Sequence, residues 1–219
     1  MRKVEVLPSL LAADFSRLAE EIRSVEEAGA RILHLDVMDG QFVPNLTFGP
    51  LIVRAVARLT TLTLDTHLMV REPAYLVPRF REAGSHWISC HVEACEDVAG
   101  TLSEIRRSGA LPGLALNPET PFDAVLPYLS DLNHLLVMTV SPGFGGQGFR
   151  SEVVPKIAEA RRVREEKGYS YRISVDGGLN PRTAEAVREA GADLLVAGSA
   201  LFGARDRAEA MRAIRGTSA

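Results

Sequence analysis

The chain has 219 residues, a formal net charge of -3, 46% hydrophobic residues and 24% charged residues. That length suits one catalytic domain spanning residues 1–219 with a sizeable core, and the composition is that of an ordinary globular protein. The weak negative charge gives no general attraction for nucleic acid or an anionic membrane, and no apolar run reaches the roughly 20 residues of a membrane span.

The N-terminal MRKVEVLPSLLAADF superficially resembles a signal peptide. Glu5 interrupts it, Asp14 follows it, and no small-residue cleavage pattern appears, so a buried strand leading into a loop is the better reading. Cys90 and Cys95 stand alone and suggest neither a disulfide framework nor a four-cysteine zinc site. A cytoplasmic protein is the expectation.

Apolar, β-branched segments then alternate with charged helical ones. The first strand is predicted at residues 4–10, VEVLPSL, followed by a helix from about Asp14 that spaces Phe15, Leu18, Ile22 and Val25 on one face. Gly29 stops it. RILHLDV at 31–37 is the second strand; a long loop and a helix from about Pro50 lead to the third, LTLDTHLMV, at 62–70. The unit recurs: REPAYLVPRFREAG precedes SHWISC, EACEDVAGTLSEIRRSG precedes ALPGLALN, and TPFDAVLPYLSD precedes HLLVMTV. Two last units pair EVVPKIAEARRVREEKG with YRISVD and RTAEAVREAG with ADLLVAGS. Eight such strands predict a single (β/α)8 TIM barrel. A doubly wound nucleotide fold would carry GxGxxG after its first strand, where this chain has PSLLAADF.

The chemistry gathers at the C-terminal ends of the strands. His34 and Asp36 are two residues apart, so both side chains face one side of an extended segment. His67 closes the third strand and Asp176 the seventh. Two imidazoles and two carboxylates meeting at a barrel mouth suit one divalent metal ion, whether Zn, Fe, Mn or Co. Any one of these residues alone would more often cap a turn or fill a core. Asp36 and Asp176 lie on different sides of the barrel axis. One can take a proton from a carbon next to a carbonyl, while the other returns a proton from the opposite face. That arrangement inverts a carbon centre through an enediolate without a redox cofactor. Met38, Met69 and Met138 sit beside these strand ends and can exclude water from a reactive intermediate. His86, His91, Asp14 and Asp39 are undecided between structural and supporting roles.

The glycine-rich SPGFGGQGF after the sixth strand, DGGLN after the seventh and AGSALFG after the eighth can surround a phosphate with backbone N–H groups. The last segment adds Gly198 and the Ser199 hydroxyl. No GxxxxGK[ST] loop supports a nucleotide-hydrolysing enzyme.

Together, PSLLAADF, HLDVMDGQFVPNLTFGP, DTHLMV, LNPETP, VMTVSPGFGGQ, SVDGG and VAGSALF closely resemble the ribulose-phosphate 3-epimerase family. The resemblance implies a ribulose-phosphate-binding barrel that interconverts D-ribulose 5-phosphate and D-xylulose 5-phosphate at C3. It makes His34, Asp36, His67 and Asp176 the ligands of one metal per subunit, with Asp36 and Asp176 as the acid/base pair. It also implies that Ser9 and His67 contact substrate and that Met38, Met69 and Met138 border the reacting carbon. Gly145, Gly146, Gly178, Gly198 and Ser199 would bind phosphate. Ser141, Pro142, Gly143, Phe144, Gly145, Gly146 and Gln147 would form a loop covering the substrate. Ser141, Thr139 and Cys90 depart from the common family pattern without touching the metal or acid/base positions. The implied partner is a small phosphorylated ketose, a six-carbon one such as allulose 6-phosphate being the alternative substrate. A homo-oligomer is expected, and neither nucleic acid nor membrane is.

Overall fold

The alternation of side chains along each strand decides what this molecule puts where. In the computed structural model, which describes residues 4–217, strand β2 (Ile32–Met38) sends Leu33, Leu35 and Val37 into the layer packed against the helices. The intervening His34, Asp36 and Met38 therefore face the other way, into the barrel. Strand β3 (Thr63–Met69) repeats the pattern, with Leu64 and Leu68 in the helix-facing layer and Asp65, His67 and Met69 on the inner face.

The other strands are β1 (Glu5–Pro8), β4 (Trp87–His91), β5 (Leu111–Leu116), β6 (His134–Met138), β7 (Arg172–Asp176) and β8 (Leu194–Ala197). All neighbours pair in parallel, in the order β1-β8-β7-β6-β5-β4-β3-β2. A parallel bridge between Ser9 and His34 joins the two ends of that order and closes the ring. The predicted TIM barrel is what the chain forms.

Among the described residues, eight α-helices surround it: α1 (Leu18–Glu27), α2 (Pro50–Leu59), α3 (Val77–Ala83), α4 (Val98–Arg107), α5 (Val154–Lys167), α6 (Pro181–Ala190), α7 (Ser199–Phe202) and α8 (Arg207–Arg215). Helix α6 starts on a full capping box, with the Asn180 side chain accepting from Arg182 and Thr183 backbone N–H groups. At the opposite end of the barrel from the mouth, buried Arg164 pairs with buried Asp193, whose carboxylate also accepts from the Ile173 amide at 2.8 Å. This clamps α5 to β7.

Two expectations require correction. Residues Phe15–Arg17 form a 3-10 turn capped by Asp14, and α1 begins only at Leu18. Phe15 is 43% exposed and rests on the Phe48 ring instead of joining the core. The segment 120–131 is two 3-10 stretches, Phe122–Ala124 and Leu126–Asp131, not an α-helix. Pro127 has no N–H to donate and its ring obstructs the preceding turn, so the tighter, shorter winding wins.

Gly113 on β5 allows the interior to close. A Cβ there would lie 2.3 Å from both Cε1 and Nε2 of His134 and 2.8 Å from the Ser89 Cβ. His134 cannot retreat, because it is buried against the Trp87 ring and Asp65. Gly113→Ala should therefore destabilise the fold by about 1–3 kcal/mol through overpacking, measured as a lowered urea midpoint with an unchanged slope.

Candidate active site and metal centre

Strands β2, β3 and β7 supply the centre of the site. The ligand-capable atoms of His34, Asp36, His67 and Asp176 all lie within 4.8 Å of one another. Ligands held at about 2.0–2.2 Å from one ion lie up to roughly 4 Å apart, so the cluster needs only a slight contraction to enclose a cation. His34 Nε2 is 3.3 Å from Asp36 Oδ1 and 3.9 Å from Asp176 Oδ2. His67 Nδ1 is 3.4 Å from the same Asp36 oxygen.

A test of fit comes from His34. Its Nδ1 lies 2.9 Å from Asp65 Oδ2. An ionised carboxylate only accepts, so the imidazole proton belongs on Nδ1 and the Nε2 lone pair points at the cluster. That Nε2 is buried without a hydrogen-bond partner, as a metal-ligating nitrogen would be. Two neutral nitrogens and two carboxylate oxygens in one buried spot suit a single divalent ion with mixed nitrogen and oxygen preference.

The electrostatics agree. Burial alone would raise the Asp36 carboxyl, but His34 and His67 beside it hold it well below the usual carboxylate range. Asp176 goes the other way: burial and the negative charge of Asp36 push it up to about 7. Burial opposes charge on His34, yet Asp36 and Asp65 raise it well above an ordinary imidazole. Burial is also the main influence on His67, which sits at about 4 and is neutral near pH 7. Two carboxylates thus crowd one buried spot, where a proton on His34, or a divalent ion in its place, offsets the charge of Asp36.

Above the cluster opens a cavity of about 420 Å³, lined by Asp36, Asp176 and the three methionines Met38, Met69 and Met138. All three methionines are buried. His34 and His67 lie below its floor, 0% exposed. Ser9 lines the cavity and also donates from Oγ to Asp36 Oδ2 at 2.5 Å, which fixes the rotation of that carboxylate.

The far wall is made by Gly145, Gly146, Gly178, Gly198 and Ser199. Among the described residues, no lysine or arginine lines the cavity. Gly178 has φ 63° and a Cβ there would meet the Phe149 backbone nitrogen at 2.6 Å, so only glycine lets the two loops approach this closely.

The segment 141–147 arches over this wall. Pro142, Gly143, Phe144 and Gln147 line the cavity with the two glycines, while Ser141 does not. Gln147 Nε2 donates to the carbonyls of Ser141 at 2.6 Å and Phe144 at 2.9 Å, so the loop is braced by its own side chain. Asn45, from the loop after β2, donates to the Gly143 carbonyl at 2.8 Å.

The undecided residues separate clearly. Asp14 caps the Ser16 amide, Asp39 accepts from the amides of Gln41, Phe42 and Arg71, and His86 Nδ1 accepts from the Leu64 amide. Those are structural roles. His91 instead touches the centre, with its Nε2 2.8 Å from His67 Nε2 and its Nδ1 3.1 Å from Glu93 Oε2. Asp65 and His134, which are not among the sequence-predicted site residues, stand 3.5 Å apart behind His34. The signal for Asp65 was present, because it precedes His67 by two residues and must share its face. His134 at the start of β6 gives no such local signal.

The family profile described as "Ribulose-phosphate 3 epimerase family" matches residues 5–202. A "Ribulose-phosphate 3-epimerase" of Bacillus subtilis (strain 168) is 50% identical over 215 residues, covering 98% of this chain and 99% of that protein. The "Ribulose-5-phosphate-3-epimerase, chloroplastic" of Arabidopsis thaliana is 47% identical over 212 residues, covering 96% of this chain and 75% of that protein. Among solved structures, KGPDC from Streptococcus mutans superimposes with a TM-score of 0.72 at 15% identity, covering 98% of this chain and 97% of that one. The 3-hexulose-6-phosphate synthase from Salmonella typhimurium gives 0.71 at 16% identity, covering 97% of each chain. At those identities the structures attest the shared barrel alone.

Elemental analysis of metal-replete protein should find a single divalent ion at the His34, Asp36, His67 and Asp176 cluster. His34→Ala should lose most of that metal while keeping its circular dichroism spectrum. A folded His34→Ala that retains a full complement would remove the ion from this cluster. Barrel, buried cluster and end-to-end sequence similarity agree: this chain belongs to the ribulose-phosphate 3-epimerase family.

Proposed function

We propose that the chain interconverts D-ribulose 5-phosphate and D-xylulose 5-phosphate by inverting the configuration at C3. The observation that carries this reading is the pair Asp36 and Asp176, which reach one cavity from β2 and β7. Around the ring those strands are separated by β8 and β1, so the two carboxylates enter from different walls. A sugar lying between them presents one face to each.

In one direction, ionised Asp36 removes the C3 proton from one face. Asp176, carrying a proton, delivers it to C3 from the other. In the reverse direction the roles exchange, as microscopic reversibility requires. The Ser9 hydroxyl bond to Asp36 fixes which oxygen of that carboxylate faces the sugar. A divalent ion, when bound by the four side chains, supplies stabilisation of the negative charge that develops on the sugar oxygens. Met38, Met69 and Met138 form an apolar rim that accommodates either epimer and keeps water from the planar intermediate.

The phosphate would lie against Gly145, Gly146, Gly178, Gly198 and Ser199. With no cationic side chain in that wall among the described residues, backbone N–H dipoles and the Ser199 hydroxyl carry the recognition. The segment 141–147 would cover the bound sugar, its internal Gln147 brace moving with it as a unit. The chain acts on a small phosphorylated sugar, and no helix among the described residues is long and apolar enough to cross a membrane.

Two measurements test this. Asp176→Asn keeps the shape of the side chain but cannot deliver a proton, so net epimerisation at C3 should fall by about 10²–10⁴-fold. Parallel assays of metal-replete protein should give ribulose 5-phosphate the larger kcat/KM. A larger value for allulose 6-phosphate would make the chain a hexulose-phosphate 3-epimerase.

A further inference from the structure

His67 presents Nδ1 to the cluster and Nε2 away from it, towards a second histidine that the acid/base chemistry does not use. His91 Nε2 lies 2.8 Å from His67 Nε2, with the two rings stacked at 26° and 4.9 Å between centroids. His91 Nδ1 lies 3.1 Å from Glu93 Oε2. The other carboxylate oxygen, Oε1, accepts from the Asn117 amide at 2.7 Å and from the Thr120 hydroxyl. The loop carrying those two donors is itself held by Lys156, whose Nζ donates to the carbonyls of Asn117, Pro118 and Thr120 at 3.0, 3.0 and 2.6 Å. Four side chains and a loop thus run in a line from the site to the outside of the barrel.

Only one arrangement of protons satisfies that line while leaving a lone pair for a metal. A cation on His67 Nδ1 requires the His67 proton on Nε2. His91 Nε2 must then accept it, which puts the His91 proton on Nδ1. Glu93 must accept that proton in turn, and a carboxylate is an acceptor only. We propose that His91 and Glu93 are positioning residues that fix His67 in its metal-binding tautomer, so that the carboxylate of Glu93 sets the donor state of a nitrogen two hydrogen bonds away. Neither residue touches the cavity above the metal cluster. Asp65 does the corresponding work for His34 directly. Outer partners of this kind are a general device for orienting metal-ligating histidines; here it extends through two imidazoles and out of the barrel.

The inference rests on the metal cluster described above, and the test separates the two. Glu93→Gln is isosteric. The Asn117 amide and the Thr120 hydroxyl require an acceptor at Oε1, so the new NH₂ faces His91 Nδ1 and donates to it. Both imidazole tautomers are then reversed, and His67 Nδ1 carries a proton where the ion should sit. Zn²⁺ affinity, measured by chelator competition, should fall about 10- to 100-fold with the circular dichroism spectrum unchanged. Thr120→Val, which removes a bond to the far oxygen only, should keep wild-type affinity.

Nitrogen NMR of the zinc-loaded wild-type protein supplies a readout that does not depend on any variant folding. It should show His67 coordinated through Nδ1 and His91 protonated on Nδ1. Wild-type Zn²⁺ affinity in folded Glu93→Gln, or a proton on His91 Nε2 in the zinc-loaded wild type, would overturn the relay and leave the metal site standing. Failure of the wild type to bind Zn²⁺ at all would overturn the site itself.

Discussion

Two carboxylates brought together inside a barrel are costly unless positive charge stands between them, and this constraint organises the molecule. Asp36 is 3% exposed and shares its surroundings with Asp176, whose proton affinity is raised by burial and by Asp36 itself. An isolated buried charge would be strongly destabilising. The Ser9 hydroxyl donates to Asp36, and the two imidazoles beside it form with both carboxylates a donor set for a divalent ion that would offset the rest. In the absence of an ion the same crowding lowers the proton affinity of Asp36 and raises that of Asp176.

The barrel interior is divided accordingly. On the side of β2, β3 and β4, the inner face is polar and buried: His34, Asp36, Asp65, His67 and His91. Across from it, Leu7, Leu136, Leu194 and Val196 form an apolar cluster with Met138. This asymmetry leaves the polar half free to serve as a network in which Asp65 stands behind His34, and Glu93 stands behind His67 through His91. Low dielectric makes such a network strong when fully paired and costly when one partner is missing. The wall made by Gly145, Gly146, Gly178, Gly198 and Ser199 follows another rule, with close-packed glycines and, among the described residues, no side-chain cations.

The structural neighbours share the barrel of this chain. KGPDC from Streptococcus mutans and the Salmonella typhimurium synthase share the backbone arrangement at 15% and 16% identity, whereas the Bacillus subtilis relative is 50% identical. The fold is a frame on which inward-facing strand residues are exchanged. In this chain the frame positions Asp65, Thr66 and His67 on β3, where only Asp65 and His67 face inward, and that selection is made by the pleat alone.

Local periodicity was enough to mark the eight strands and to put His34, Asp36, His67 and Asp176 at the ends of three of them, because each depends on spacing of two or of three to four residues within one segment. It misjudged Phe15, whose partner Phe48 lies on another loop, and the segment 120–131, where Pro127 overrides an apolar pattern that otherwise reads as helical. Tertiary structure alone decided that Ser9 holds Asp36, that His134 stands behind Asp65, and that Glu93 reaches His67 through His91. These contacts join residues from different strands. Which strands become neighbours, and at what register, is settled when the sheet closes at Ser9 and His34; no stretch of sequence carries that closure by itself.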